Sequence, residues 1–506
     1  MSRCVTRGSG ILMPFFSLPG KYGIGTFSKE AYRFVDFLVD AGQKYWQILP
    51  LGPTGFGDSP YQSFSTFAGN PYFISLETLV ERGLLTKKEC EHCDFGKNAS
   101  KIDYEKLYLN RISLLEKAAE RFFASERKSV SYEEFLKEND FWLRDYALFM
   151  TLKETFRGKP LEEWEDSYRK HEKAVLSEFE KKHEKRIRLY YYIQYEFYRE
   201  WKALKSYANR KGVEIIGDIP IYVSADGADI WGCPEAFQTD ADRRVTAVAG
   251  CPPDSFAKDG QLWGNPLYNW EYHKKTGYDW WVRRFEKCLD LYDVIRIDHF
   301  RGFDEYYSIP ADSDTAAVGE WRKGPGLELF TALEERLGEM PIIAEDLGYM
   351  TDSVRKLVRD TGFPNMKVLQ FAFDSRTATE GGINEYLPHF YDKNSVVYTG
   401  THDNETIMGY LQGMNPEDKG FLRAYFGVSE HCSDKKLAQM LLRLALASVS
   451  DYCIIPMVDY LFLDNSARTN EPATTGDNWN FRMKQGMFDR KLAKNIRKLT
   501  KLYGRG

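Results

Sequence analysis

The stretch DVIRIDHFRG, residues 293–302, reads as a short buried strand, Val294 to Ile297, ending on the carboxylate Asp298. Residues two apart on a strand share a face, so Arg296 and Asp298 point the same way. Seven other short apolar runs repeat the pattern: Ile11 to Phe16, Tyr45 to Leu51, Val213 to Ile216, Ile342 to Ala344, Val368 to Phe373, Val396 to Thr399 and Ile454 to Val458. Several lie between amphipathic stretches, as parallel strands with crossover helices do. Ala31, Phe34, Val35 and Leu38 precede the second run at helical spacing, and Phe197, Trp201, Leu204 and Ala208 precede the third. Eight strands in this rhythm predict an α/β chain folded as a (β/α)8 TIM barrel, with Arg296 and Asp298 facing its interior. A doubly wound sheet is the rival, but its phosphate-binding GxGxxG or GxxxxGK[ST] is absent.

Such a barrel takes about 250 residues, so the remaining chain has to be inserted. Residues 52 to 212 far exceed a normal crossover and include the Glu/Lys-rich helical pattern SYEEFLKENDFWLRDYALFMTLKETF. AGCPPDSFAKDGQLWGNPLYNW, between the third and fourth runs, reads as ordered loop. The expected division is a barrel from 1–65, 190–225 and 285–506, a mainly helical insertion over 66–189, and a loop-rich insertion over 226–284. Insertions here sit over the C-terminal mouth, where barrel active sites are built.

Lys plus Arg number 69 and Asp plus Glu 74, a formal charge of -5. This near balance argues against a nucleic-acid or anionic-membrane binder. The N-terminal segment lacks a signal-peptide pattern, and no apolar run approaches the roughly 18 residues of a membrane span, so a cytoplasmic location is expected. Eight cysteines are too sparse for a disulfide scaffold. Cys90 and Cys93 form a CxxC without the second pair that zinc needs, and read as a reduced surface pair. Aromatics make up 15% of the chain, which fits a filled core or, more sharply, a site where sugar faces pack on rings.

Acids recur where the strand runs end: Asp218 in VEIIGDIPIYV, Asp298, Glu345 in PIIAEDLGYM and Asp403 in VVYTGTHDNET. Each alone could cap a following helix. Together they converge on one mouth at a repulsive cost that chemistry would justify. Arg296 beside Asp298 should favour an ionised nucleophile. Ile342, Ile343 and Ala344 before Glu345 should favour a protonated acid, and glycosidic cleavage needs that pair of states. His299 and His402, beside two of the acids, read as neutral imidazoles for sugar hydroxyls. A metal site would want closer spacing such as HExxH. LPLGPTGFGDSPYQSFSTFAGNPYF, with Ser59 and Tyr61, reads as a rigid lip of the site.

LPLGPTGFGDSPYQS, GDIPIYV, GQLWGNP, RIDHFRG, AEDLG and GTHDNET occur in this order, and with them the chain resembles the amylomaltases, or 4-α-glucanotransferases, nearly end to end. The resemblance implies a retaining glucan transferase without cofactor. It would move a segment of an α-1,4-glucan to the 4-hydroxyl of an acceptor glucan or glucose. Asp298 would be the nucleophile, Glu345 the acid/base and Asp403 the transition-state stabiliser. Asp218, Arg296, His299, His402 and Asp374 would contact glucose. Tyr61, Asp254, Gln261, Trp263, Asn265 and Asn470 would line the substrate groove. The partners implied are α-1,4-glucans and maltooligosaccharides, with neither nucleic acid nor membrane, on a monomer or weak homo-oligomer. The alternatives are an α-1,4-glucan hydrolase with the same acids and a non-catalytic glucan-binding protein, which would have no need of all three.

Overall fold

The computed structural model describes residues 7–55, 57–125, 130–253, 259–348, 350–374, 384–474 and 476–506. Twelve strands run β1 Gly8–Leu12, β2 Tyr45–Gln47, β3 Glu214–Pro220, β4 Ala247–Cys251, β5 Gln261–Pro266, β6 Val294–Asp298, β7 Glu305–Pro310, β8 Glu320–Lys323, β9 Ile342–Ala344, β10 Asn365–Val368, β11 Ser395–Tyr398 and β12 Tyr452–Pro456. Eight of them close a parallel barrel in the order β1-β12-β11-β10-β9-β6-β3-β2. This is the (β/α)8 fold. Its register matters for chemistry: β3 places Asp218 beside Arg296 and Pro220 beside Asp298, and β6 places Ile297 beside Ala344 of β9.

Helices cover the outside because their apolar residues fall on one stripe. Lys29–Asp40 buries Ala31, Phe34, Val35, Phe37 and Leu38. Glu184–Arg210 buries Phe197, Trp201, Leu204 and Ala208 among others, and Trp201 donates its indole N–H to the Leu291 carbonyl. Between β2 and β3 the chain is helical, including Tyr104–Ala124 and Asp140–Thr155 as well as Glu184–Arg210. No described helix is long and apolar enough to cross a membrane.

Four local expectations change. The first strand lies earlier than Ile11 to Phe16, because Pro14 and a 3-10 turn at Phe15–Ser17 end it while Gly8 and Gly10 start it. A Cβ on Gly10 would stand 2.5 Å from the Tyr45 Cβ, so only glycine lets these two strands meet. The sixth barrel strand is Asn365–Val368, and the apolar run after it folds as a helical turn, Leu369–Ala372. A short buried run satisfies either conformation, so its hydrophobicity does not choose. The stretch read as loop, 226–284, contains β4 and β5. They join β7 and β8 from beyond the fourth barrel strand in an antiparallel sheet ordered β5-β4-β7-β8. Val248, Tyr307, Ile309 and Ala316 form its own small core. The Cys90 side chain is buried, not superficial.

Candidate active site

Asp298 ends β6 and Glu345 follows β9, each one residue beyond the paired Ile297 and Ala344. Two carboxyls therefore stand side by side on neighbouring strands, whose spacing is about 4.8 Å. Beneath them Arg296, 3% exposed, donates from Nη1 to both oxygens of Asp218 at 2.7 Å and to Asp298 Oδ1 at 3.1 Å. Asp218 also accepts from the Tyr61 hydroxyl at 2.9 Å, so the lip is tied to the barrel floor. The Tyr61 ring stacks on His402 with centroids 5.1 Å apart.

Glu345 accepts from two backbone amides, His299 N at 2.7 Å and Leu347 N at 2.8 Å. His299 presents its amide from a left-handed backbone at φ 54°, a conformation uncommon for a residue with a Cβ. Asp403 lies in the loop after β11. It accepts from Asn470 Nδ2 at 2.6 Å on Oδ1 and pairs with His402 Nε2 at 3.2 Å on Oδ2.

These surroundings separate the acids. Burial raises Asp298 to about 6, and Arg296 opposes that rise without cancelling it, so the expected dominance of the guanidinium does not hold. Burial, then the Asp298 charge, pushes Glu345 up to about 7 despite its two amide donors. For Asp403 burial also pulls upward, but His402 and Asn470 overcome it and the carboxyl falls to about 2. Burial lowers His299 to about 3, leaving a neutral imidazole. His402 differs from expectation: burial lowers it, but Asp403 more than compensates and the net shift is upward.

Asp298, Glu345 and Asp403 open into one cavity of about 630 Å³. Ser59, Tyr61, Gln261, Trp263, Asn265, His299, His402 and Asn470 also line it. Asp218 and Arg296 lie beneath, buried. Asp374, half-buried after the Leu369–Ala372 turn, is not among the lining residues. Asp254 lies outside the described residues. Asn470, expected on the groove, is bonded directly to Asp403. Gln62, Tyr222, Pro472, Ala473 and Trp479 also line the cavity and were not singled out from sequence. Gln62 and Tyr222 lie inside LPLGPTGFGDSPYQS and GDIPIYV, which was the available signal for them. Gln62 donates to Asn265 Oδ1 at 3.1 Å, linking the lip to β5.

A family model described as 4-alpha-glucanotransferase, glycoside hydrolase family 77, matches residues 13–488. The chain belongs to the 4-alpha-glucanotransferase family. A curated 4-alpha-glucanotransferase from Streptococcus pneumoniae is 47% identical over 502 residues, covering 99% of this chain and 97% of the relative. One from Thermus thermophilus is 43% identical, covering 95% of each. The solved amylomaltase from Streptococcus agalactiae, in complex with acarbose, superposes with a TM-score of 0.95 at 43% identity, covering 99% of this chain and all of the other. An amylomaltase from Corynebacterium glutamicum, at 20% identity and a TM-score of 0.77, shares the fold and covers 98% and 74%. The protein is thus a glucan-transferring enzyme, and plain hydrolysis is not favoured. Within the 4-alpha-glucanotransferase frame, the cavity over Asp298, Glu345 and Asp403 is the candidate reaction site.

Proposed function

We propose that the enzyme transfers α-1,4-glucan segments with retention of configuration, through a covalent intermediate on Asp298. Asp298 attacks the anomeric carbon while Glu345 gives its proton to the leaving glycosidic oxygen, and the shortened glucan departs. An acceptor 4-hydroxyl then loses its proton to Glu345 and displaces Asp298 from the sugar, which restores the α bond. Asp403, ionised, stabilises the cationic transition state. The observation that carries this reading is the placement of Asp298 and Glu345 at the ends of adjacent strands, opening into one cavity, as the close carboxyl pair of a retaining enzyme requires. Asp218 and Arg296 set the floor of the donor pocket, with His299, His402 and Asp374 as glucose contacts. Ser59, Tyr61, Asp254, Gln261, Trp263, Asn265 and Asn470 serve the groove.

The segment 226–284, with β7 and β8, acts in this reading as a subdomain walling the mouth, and 66–189 as a second, helical insertion. The thiols of Cys90, Cys288 and Cys453, all buried, suit the reducing cytoplasm. The substrates are free α-1,4-glucans and maltooligosaccharides, handled by a monomer or weak homo-oligomer without nucleic acid or membrane. Incubation with maltotriose alone tests the reading. A ladder of longer maltooligosaccharides plus glucose is expected; exclusively shorter sugars would mean a hydrolase.

A further inference from the structure

Asp403 sits on a connection with little behind it. The loop leaves β11 at Thr399 and re-enters regular structure at Ile407, the start of the helix Ile407–Gly413. Behind it is a cavity of about 20 Å³, lined by Thr401, His402, Thr406, Asp459 and Arg468 among others. That is room for one water and little more. The Tyr61 and Trp479 rings pack on His402, and the small space on the other side leaves the rest of the loop to be fixed by hydrogen-bonded tethers.

Most of those tethers come from the chain that follows β12; from elsewhere, Gln370 Nε2 donates to the Glu405 carbonyl at 2.8 Å. Arg468 Nη2 donates to the Asp403 carbonyl at 2.9 Å, and Asn470 N donates to the His402 carbonyl at 3.1 Å. Both hold the middle of the loop. Its two ends meet on one carboxyl, and the second end is also held by Asn465 Oδ1, which accepts from Thr406 N at 3.2 Å. Asp459 Oδ2 accepts from Thr399 Oγ1 at 2.6 Å, and Oδ1 accepts from Ile407 N at 2.8 Å. Asp459 lies in the helical turn Met457–Tyr460, directly after β12, and is 1% exposed.

We propose that Asp459 is a positioning residue for Asp403, a clamp that fixes the pose of the acid by joining the two ends of its loop. This rests on the assignment of Asp403 as the transition-state stabiliser. A carboxyl buried to this degree is costly, and an apolar residue of its size would fill the same space without that cost. What an apolar residue cannot do is accept from both ends of the loop at once. Thr406 already caps the Ile407–Gly413 helix through the Gly409 amide, so helix capping alone does not account for Asp459. Displacing a reacting group by about 1 Å costs up to about a hundredfold in rate. Losing the clamp frees that much movement into the space behind the loop.

The test is a double-mutant cycle on the full enzyme, with an α-glucosyl fluoride donor so that weak variants stay measurable. Asp459→Ala should lower kcat by roughly 10- to 100-fold per folded molecule, with KM for maltooligosaccharides changed less than about threefold. Asp459→Asn should keep most of the activity, since its oxygen still takes the Ile407 amide and its nitrogen donates to Thr399. In Asp403→Asn, adding Asp459→Ala should cost almost nothing further, because a residue acting through Asp403 has nothing left to act on. If the two losses multiply instead, or if Asp459→Ala lowers the melting temperature while kcat per folded molecule stays at the wild-type value, the clamp is refuted. Should Asp459→Ala fail to fold, Thr399→Val removes one arm of the clamp at constant shape and enters the same cycle with the same two outcomes. A near-wild-type rate in Asp403→Asn alone would overturn the role of Asp403 itself, which is a separate result.

Discussion

Asp298 and Glu345 stand at the ends of neighbouring strands, and the proposed reaction needs the first ionised and the second protonated. With Asp298 near 6 and Glu345 near 7, that combination peaks between the two values. As pH falls through Asp298's value the nucleophile is protonated and lost; as it rises through Glu345's value the proton donor is lost. kcat/KM on maltooligosaccharides should therefore be a narrow bell, falling about tenfold per unit beyond either limb, with apparent values that belong to the pair. A pH profile of the free enzyme checks this. Glu345→Gln separates the limbs. It should lose turnover on maltooligosaccharides by about 10²–10⁴-fold, yet form the intermediate from an α-glucosyl fluoride, whose leaving group needs no proton. With that donor the alkaline fall should vanish. Azide, which needs no deprotonation, should then release the sugar as the α-glycosyl azide, while a β-azide would mean that Asp298 was bypassed. An equal loss on fluoride and on maltooligosaccharides would remove Glu345 from the proton-donor role.

At the scale of elements, Arg505 holds the barrel floor together. Buried completely, it donates to the carbonyls of Leu446, Gly8, Asp451, Ser448 and Ser450, and so joins the entries of β1 and β12. Arg505→Ala leaves these carbonyls unmet and should cost about 3 kcal/mol or more, read as a lower melting temperature with kcat per folded molecule unchanged. Arg505→Lys should recover only part, since one ammonium cannot span the fork's five acceptors. Nothing in the sequence announces this role, because the partners are backbone oxygens, four of them 54 to 59 residues away and that of Gly8 497 residues away. The barrel strands were more legible, since buried parallel strands read as apolar runs wherever they occur. Leu369–Ala372 misled for that reason: burial was right, conformation was not. The sheet of β4, β5, β7 and β8 stayed hidden because its central pair, β4 with β7, joins distant segments and its strands carry Gly and Pro, as in AVAGC and QLWGNP. Likewise Asp298 and Glu345 lie where the strand runs end and Asp403 in the loop beyond one, whereas Asp459 and Trp479 become visible through the residues they touch.

For the whole molecule, the question is why an activated sugar in a wet cavity meets a glucan before it meets water. The walls come from distant parts of the chain: the lip with Tyr61, the small sheet with Gln261 and Trp263, and the connection after β12 with Pro472, Ala473 and Trp479. Trp263 is the ring that projects from the sheet towards the reacting acids. It meets the His299 ring at right angles with centroids 4.8 Å apart, and its indole N–H donates to Gln261 Oε1 at 3.1 Å, which fixes its plane. A fixed aromatic face beside the nucleophile suits an acceptor sugar, whose C–H surface packs on it while its hydroxyls meet Gln261 and Asn265. Water gains nothing from that ring. Trp263→Ala should therefore act unequally on the two fates of the intermediate. Losing a stacking contact of about 1–1.5 kcal/mol weakens acceptor capture by about tenfold, while attack by water stays within a few-fold. The measurement is the ratio of glucose transferred to glucose released by hydrolysis from maltotriose. It should fall about tenfold in Trp263→Ala and recover in Trp263→Phe, which keeps a face for packing. If both fates slow equally, Trp263 serves the donor and not the acceptor, and the sheet is a scaffold for the first step of the reaction.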